Sequence, residues 1–334
     1  MAKRPVVRPS VSSPQARRRL RERWGERGFS AADLLNLWKP IGAWEREQGL
    51  RYGPGPRQHL DVYRPRHARG APLIVFFYGG SWQNGSRDLY PFLGTSFAAQ
   101  GIVTVVPDYA VFPPARFPEF LQDGARAVAF ARDRARAWGA DPQRLVLMGH
   151  SAGAHIAAML AFDPQWLAAV SLDAHSDVAG LIGLAGPYDF LPIRGRVLQR
   201  IFGGASRPET QPINFVTGRE APALLIAARR DTLVDPANTR RLAETIRAGV
   251  MSAVTAGAPP TPSASDSGGA TQTAAAAASS GGSNGGTSSP RRPQSPGPFR
   301  PVGVTQTVAF HAGKFAGSLI RANGRNGDNE RGNT

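Results

Sequence analysis

Residues 144–155 read RLVLMGHSAGAH, and this stretch decides the fold. The apolar run Leu145–Met148 is typical of a buried strand, and Ala154–Phe162 has the composition of a compact helix. Between them, residues 149–153 form a G-x-S-x-G pattern whose two glycines permit a sharp turn from strand to helix. This context predicts a strained turn that holds the Ser151 hydroxyl above the edge of a sheet. The alternative is a turn in which the serine is only structural.

Segments with strand and helix patterns alternate on both sides of this turn. The strand candidates are Leu60–Tyr63, Leu73–Tyr78, Ile102–Pro107, Leu145–Met148, Val178–Leu184, Pro222–Ala228 and Val302–Phe310. The helix candidates are Phe92–Gln100, Pro118–Trp138, Ala154–Phe162, Pro236–Arg247 and Gly313–Ala322. Such alternation predicts βαβ units, and therefore an α/β protein with a mostly parallel sheet and helices on both faces.

The composition limits the chemistry that the chain can use. Its 334 residues include no cysteine, which excludes disulfides, a thiolate nucleophile and cysteine-ligated metal. The formal net charge of +16 is concentrated at the two ends of the chain. Residues 1–30 hold nine basic and two acidic residues, and residues 287–334 hold seven and two. Because the rest is nearly balanced, we interpret the charge as appended tails and expect no nucleic-acid partner.

Shifts in composition along the chain predict its domain organisation. We expect a basic tail and edge helix over 1–44, an α/β body over 45–250, a disordered Ala/Ser/Gly/Pro-rich insertion over 251–301, a last strand and helix of that body over 302–322, and a polar tail over 323–334. No apolar run approaches the roughly 18 residues of a membrane span, so we expect no integral membrane segment. Residues 1–28 lack the apolar core of a secretory signal, which together with the missing cysteines favours the cytoplasm.

A serine nucleophile needs a base, and the base needs an orienting acid. The segment after the strand Pro222–Ala228 offers two acids, Asp231 and Asp235. Asp231 is favoured because it comes sooner after the strand, whereas Asp235 can instead cap the following helix. His311 is the only histidine downstream of Asp231, and it directly follows the strand Val302–Phe310. The order serine, acid, histidine therefore predicts Ser151, Asp231 and His311.

Two histidines near the turn are expected to have other roles. His150 faces the wrong way to deprotonate its neighbour Ser151, so we expect it to pack beside the turn. His155 lies one turn into the helix and is expected in the core.

A second glycine pair follows the first long apolar strand, in the sequence YGGSW at residues 78–82. Glycines there let backbone N–H groups approach a substrate closely, so Gly79 and Gly80 are predicted to form an oxyanion hole with the N–H of Ala152. Trp82 either lines the substrate pocket or walls off the loop. Tyr78 and Trp82 are both candidate substrate-binding residues.

Several stretches together resemble the esterase branch of the α/β-hydrolase superfamily. They are FFYGGSW (Phe76–Trp82), VVPDY (Val105–Tyr109), RLVLMGHSAGAH (Arg144–His155), GPYDF (Gly186–Phe190) and RRDTLVDP (Arg229–Pro236). The chain resembles small carboxylesterase-like proteins related to bacterial feruloyl esterases, kynurenine formamidases and isoprenylcysteine methylesterases. The resemblance implies that the body is an α/β-hydrolase with a mostly parallel sheet of about eight strands. It also implies a triad and an oxyanion hole at the residues already named.

The chain departs from that family pattern in two places. Many relatives have histidine where Tyr78 stands, a change that alters the bracing of the loop but keeps the donor glycines. The insertion before His311 is also foreign to the pattern.

These features predict hydrolysis of a small-molecule carboxylic ester through an acyl-enzyme, with no metal and no organic cofactor. One alternative is an aryl or N-formyl amide hydrolase that uses the same triad. A second is a hydrolase-fold protein that has lost catalysis and serves as a binding scaffold.

Overall fold

The structure is a computed structural model that describes Asn36 and residues 43–255, with side chains described as far as residue 252. The described part contains a seven-stranded sheet in the order β1-β2-β4-β3-β5-β6-β7. The strands are β1 (Trp44–Arg51), β2 (His59–Pro65), β3 (Ala71–Phe77), β4 (Val103–Pro107), β5 (Ala140–His150), β6 (Gly180–Leu184) and β7 (Ala223–Ile226).

Six α-helices accompany these strands in the same described range. They are α1 (Pro91–Ala98), α2 (Glu119–Arg134), α3 (Ala152–Phe162), α4 (Gln165–Ala168), α5 (Arg196–Phe202) and α6 (Ala237–Thr255). Short 3₁₀ turns lie at Arg87–Leu89, Ala135–Trp138, Pro208–Thr210 and Pro212–Phe215. Within the described residues, no helix combines the length and the apolar character that crossing a bilayer requires.

The predicted α/β architecture is confirmed. From β4 to β7 the neighbouring strands pair in parallel, whereas β1 and β2 join the sheet antiparallel at one edge. The predicted strand Val302–Phe310 and the predicted helix Gly313–Ala322 lie outside the described residues.

The centre of the sheet is apolar because helices cover both of its faces. Leu73 and Val75 of β3 pair with Leu145 and Leu147 of β5, and none of the four has exposed surface. The last pair in this register is Phe77 with Gly149. Since β3 and β5 are parallel and end side by side, the loops that leave them meet at one edge of the sheet. This register positions the site.

Two boundaries differ from the sequence prediction. The edge strand β1 is absent from the predicted strands, because its charged residues hide the pattern and it forms by pairing with β2. Glu45 and Glu47 of β1 bind Arg64 of β2 at 3.1 and 3.2 Å. At the other end, α6 continues to Thr255, although the sequence predicts a disordered insertion from residue 251. Gly249 lies within this helix without ending it, and no proline occurs between Ala237 and Thr255.

Candidate active site

The serine turn lies between the end of β5 and the start of α3. Ser151 has φ 51° and ψ −120°, a left-handed conformation that strains a residue with a side chain. Such strain costs on the order of 1–3 kcal/mol and is typical of functional sites. The Ser151 N–H donates to the Leu184 carbonyl at 2.8 Å, and the Ser151 carbonyl accepts from Ala154 at 2.9 Å. These bonds hold a half-exposed serine at the N-terminus of an otherwise buried helix.

Both glycines of the G-x-S-x-G pattern are required by close backbone packing. A Cβ on Gly149 would lie 2.1 Å from the Gly153 carbonyl oxygen, and one on Gly153 would lie 2.1 Å from the Phe77 carbonyl oxygen. Only glycine therefore lets α3 start so close to the ends of β3 and β5. A Cβ on Gly79 would similarly lie 3.0 Å from the Cβ of Ser151. The loop after β3 packs directly on the serine turn.

We call residues 79–86, which follow β3, the glycine loop. Gln83 and Asn84 both donate their N–H groups to the Gly80 carbonyl at 2.9 Å, which closes a tight turn. Gly80 has φ +145°, and a Cβ there would lie 2.0 Å from the Asn84 carbonyl oxygen. Ser81 and Trp82 follow with φ of 53° and 58°. Three successive residues with positive φ thus stand beside the nucleophile candidate, and glycine is obligatory at the first of them.

Tyr90 packs beside the start of the glycine loop, and its ring lies 5.7 Å from that of Tyr78, centroid to centroid. Burial raises the pKa of Tyr90, and the nearby Gly79 backbone acts in the opposite direction. Gly79, Gly80 and Ala152 all remain candidate oxyanion donors.

The two candidate substrate-binding residues are both buried. Tyr78 has no exposed surface, and its hydroxyl lies between Asp108 and Arg57. Its side chain therefore presents no surface to a substrate in this conformation, and its contacts are those of a brace beneath the glycine loop. Tyr78 can therefore affect a bound substrate through the position of the backbone that follows it.

Trp82 belongs to an aromatic cluster behind the glycine loop and is 4% exposed. Its ring meets His155 and Phe202 edge-on, with centroids 5.2 and 4.8 Å away, and stacks on Phe190 at 6.2 Å. These neighbours come from α3, from α5 and from the segment between β6 and α5. The sequence leaves two roles open for Trp82, and this packing favours the one in which Trp82 walls off the loop.

The acid candidates lie in the segment 227–236, which we call the acid loop. The Asp231 carboxylate accepts the N–H groups of Leu233 at 2.9 Å and Val234 at 3.1 Å. Asp235 accepts the Ala237 N–H at 2.8 Å and so caps the start of α6. The capping role is the one that the sequence offers as the alternative for Asp235.

His150 lies between the two loops. Its Nδ1 would be 2.8 Å from a Cβ on Gly79, and the charge of Asp231 raises its pKa. Burial acts more strongly in the opposite direction and lowers the pKa of His150 to about 4. The imidazole is therefore neutral near pH 7. Because the charge of Asp231 acts on His150, the acid loop lies within electrostatic range of the serine turn.

His155 is a core residue, as the sequence predicts. It has no exposed surface, its Nε2 lies 2.8 Å from the Thr210 carbonyl oxygen, and burial lowers its pKa to about 4. The structure thus brings together Ser151, Ala152 and the glycine loop, with Asp231 in electrostatic range. His311 lies outside the described residues.

Two side chains at this site are missed by the sequence prediction. Asp108 lies in the VVPDY stretch and Arg57 in the turn before β2, and both bind the Tyr78 hydroxyl. No local pattern links them, because they are 30 and 21 residues away from Tyr78 along the chain.

A parallel sheet with a serine at a strained strand-to-helix turn defines the α/β-hydrolase fold. Within that class, residues 60–246 match the BD-FAE family model, and the chain belongs to this family.

Curated relatives agree with this assignment. Esterase LipC of Mycobacterium tuberculosis is 33% identical over 219 residues, which cover 59% of this chain and 54% of LipC. Isoprenylcysteine alpha-carbonyl methylesterase ICME of Arabidopsis thaliana is 35% identical over 42% of this chain and 34% of its own length. Kynurenine formamidase of Danio rerio is 32% identical over 42% of this chain and 46% of its own length. The chain thus spans about half the length, or less, of these relatives.

Solved structures share the fold at low sequence identity. A truncated carbohydrate esterase from gut microbiota has a TM-score of 0.56 at 18% identity, covering 63% of this chain and 86% of that chain. Thermogutta terrifontis esterase 2, phosphonylated by sarin, has a TM-score of 0.54 at 23% identity, covering 64% and 82%. At these identities the likeness establishes the fold.

Proposed function

We propose that the protein is a serine hydrolase that cleaves small carboxylic esters through an acyl-enzyme intermediate. The observation that carries this proposal is the strained, half-exposed Ser151 at the N-terminus of an 11-residue helix, with the glycine loop packed against it. A nucleophile needs this accessibility, and the helix start favours the negative charge that develops on attack. Similarity to proteins named as esterases supports the same reaction.

The proposed first step is attack of the Ser151 oxygen on the ester carbonyl carbon. The carbonyl oxygen becomes an oxyanion, which the N–H groups of Ala152 and Gly80 would bind. The Gly79 N–H is the third predicted donor. Collapse of this intermediate expels the alcohol and leaves the acyl group on Ser151, and water then releases the acid.

The proton transfers require a base. His311 is our proposal for this role, because it is the only histidine after Asp231 in the sequence. It would take the Ser151 proton, protonate the leaving alcohol and later activate water, while Asp231 orients the imidazole. The sheet as described ends at β7, where Leu224 is 36% exposed. If the predicted strand Val302–Phe310 pairs with β7 in parallel, His311 would follow it at the same edge as Asp231.

An N-formyl amide hydrolase is the second candidate. The observation in its favour is the 32% identity to a kynurenine formamidase over 143 residues. The same nucleophile and oxyanion hole would serve both reactions, so the two candidates differ only in the preferred substrate.

Hydrolysis of p-nitrophenyl acetate by the purified full chain tests the proposal. The wild-type protein should turn over this ester, and Ser151→Ala should reduce kcat by about 10⁴-fold or more. Activity that survives Ser151→Ala would sink the serine mechanism, and a wild-type protein without activity on esters or amides would favour the binding scaffold. A parallel panel of acyl p-nitrophenyl esters, feruloyl esters and N-formylkynurenine separates the esterase from the formamidase by kcat/KM.

A further inference from the structure

The residue before the glycine loop has an unusual setting. Tyr78 has no exposed surface, yet its hydroxyl makes two hydrogen bonds to charged side chains. It donates to Asp108 Oδ1 at 2.7 Å and accepts from Arg57 Nη2 at 2.8 Å. Burial and the neighbouring Asp108 carboxylate raise the pKa of Tyr78 far above its ordinary value, so the phenol remains a donor. Buried bonds to charged groups are among the stronger hydrogen bonds in proteins.

The same two charged residues also bind the far end of the glycine loop. Arg57 Nη2 donates to the Gly85 carbonyl at 2.8 Å, so one guanidinium nitrogen contacts both Tyr78 and Gly85. Asp108 Oδ1 accepts the Arg87 N–H at 2.8 Å in addition to the Tyr78 hydroxyl. A salt bridge between Arg87 and Asp108 reinforces this contact. Arg57 and Asp108 therefore tie Tyr78, which precedes the glycine loop, to Gly85 and Arg87 at its far end.

Packing fixes the backbone at the start of the loop as well. The Tyr78 ring stacks between Tyr90 and Tyr109, with centroids 5.7 and 4.8 Å away. The Tyr109 hydroxyl donates to the Tyr78 carbonyl at 2.7 Å, and this bond holds the peptide plane between Tyr78 and Gly79. A Cβ on Gly85 would lie 2.6 Å from the Tyr78 ring, so the loop rests on this ring.

We propose that Tyr78, Asp108 and Arg57 form a positioning unit that aims the Gly80 N–H at the oxyanion. The inference rests on the proposed serine-hydrolase function. Oxyanion donors stabilise the transition state only if they stand in place before the reaction, since reorganisation during the reaction removes the benefit. The Tyr78 hydroxyl never touches the substrate and acts through the backbone that follows it. Its loss should therefore weaken transition-state binding and leave ground-state binding intact.

Tyr78→Phe is the direct test, because it keeps the stacked ring and removes only the hydroxyl. We expect kcat for p-nitrophenyl acetate, measured per fluorophosphonate-titrated site, to fall about 10- to 100-fold. This fall is smaller than the one caused by complete loss of an oxyanion donor, because the donor is displaced and not removed. KM should stay within about twofold, and the affinity for a trifluoromethyl ketone, which forms a tetrahedral oxyanion on the serine, should fall in parallel with kcat. A residue that is merely structural would lower the number of active sites and leave these ratios unchanged.

Tyr63→Phe is the matched control. Tyr63 is equally buried, but its hydroxyl has no hydrogen-bond partner among the described residues, and it lies in β2, away from the loop. Its kcat should remain within about twofold of wild type, which is within the small effect of a neutral substitution. If Tyr78→Phe fails to fold, Asp108→Asn breaks the same unit by weakening its bonds, and the same fall in kcat at constant KM is expected.

The outcomes separate the two levels of the proposal. A wild-type protein that neither hydrolyses esters nor reacts with a fluorophosphonate overturns the proposed function. An active wild type whose Tyr78→Phe and Asp108→Asn variants keep kcat per active site overturns the positioning role alone. A loss confined to KM would overturn it as well.

Discussion

The glycine loop and the acid loop lie at the same edge of the sheet, yet they are held in opposite ways. In the glycine loop, Gly79, Gly80 and Trp82 are buried, and residues from distant parts of the chain bind its two ends. In the acid loop, Leu233 is 67% exposed, and the Asp231 carboxylate binds N–H groups only two and three residues further on. The side of the site with the predicted oxyanion donors is therefore fixed by tertiary contacts, and the side with the predicted acid is fixed by local ones.

This difference predicts where substitutions act. A change in the acid loop should alter catalysis with little effect on the rest of the fold, because few distant groups depend on that loop. A change in the glycine loop should affect catalysis and stability together, because buried partners on several elements depend on it.

The largest effect is expected in the acid loop. Asp231→Asn should lower kcat for p-nitrophenyl acetate about 10³- to 10⁴-fold, because an amide no longer orients the base or stabilises its cation. The free energy of unfolding should change by less than about 1 kcal/mol, since only local bonds are involved. Steady-state kinetics and urea unfolding measure the two quantities.

Asp235→Ala is the matched control for that prediction. Loss of the cap on α6 should cost about 1 kcal/mol of stability and leave kcat within about twofold. If Asp235→Ala lost as much activity as Asp231→Asn, the assignment of the triad acid would have to be exchanged.

A smaller loss of activity, accompanied by lower stability, is expected in the glycine loop. Gly80→Ala adds a Cβ that would lie 2.0 Å from the Asn84 carbonyl oxygen at a φ of +145°, so the turn must rearrange. We expect kcat to fall about 100-fold, as for the loss of one oxyanion donor, and stability to fall by roughly 2 kcal/mol or more.

Gly70→Ala provides the comparison. Gly70 also has a positive φ, +61°, but a Cβ there would contact nothing within 4 Å. Gly70→Ala should lower the free energy of unfolding by about 1 kcal/mol, through backbone strain alone, and leave kcat unchanged. Equal kcat values for the two alanine variants would show that the closed turn at Gly80 has no bearing on catalysis.

The smallest effect concerns pH and His150, which lies between the two loops. Its folded pKa of about 4 is below its ordinary value of 6.5, so the unfolded chain binds the additional proton between these values. Stability from the neutral imidazole is complete above pH 6.5 and is lost as the pH falls toward 4. At pH 5.5 the loss should be on the order of 1 kcal/mol for this group.

Urea unfolding at pH 7.5 and 5.5 checks this value. His155 has the same lowered pKa and should add a similar loss, so His150→Gln should remove about half of the contribution from the two histidines. An unchanged pH dependence in His150→Gln would mean that the imidazole titrates normally in the folded protein.

The sequence predicts those parts of the molecule whose contacts are local. The serine turn needs only an apolar strand, two glycines and a helix within 12 residues, so the amino-acid pattern alone is enough to assign Gly149 and Gly153. The capping of α6 by Asp235 depends on a bond to a residue two positions further on, and it is one of the two roles that the sequence offers for this aspartate.

The features that the sequence does not reveal depend on distant partners. Tyr78 is a candidate for substrate contact by its position alone, because its hydrogen bonds to Asp108 and Arg57 span 30 and 21 residues. The strand β1 is not predicted because its sequence has no strand pattern of its own. It becomes a strand by pairing with β2. Hydrophobic periodicity reports which face of an element is buried, but it does not report which buried polar groups meet.

The most direct test of the proposed site is the mass of the intact protein after reaction with a fluorophosphonate. The geometry at the serine turn predicts one adduct per chain, mapped by peptide analysis to Ser151 and absent from folded Ser151→Ala. A folded wild-type chain that takes up no adduct, or an adduct that persists in Ser151→Ala, would contradict the assignment of Ser151 as the nucleophile.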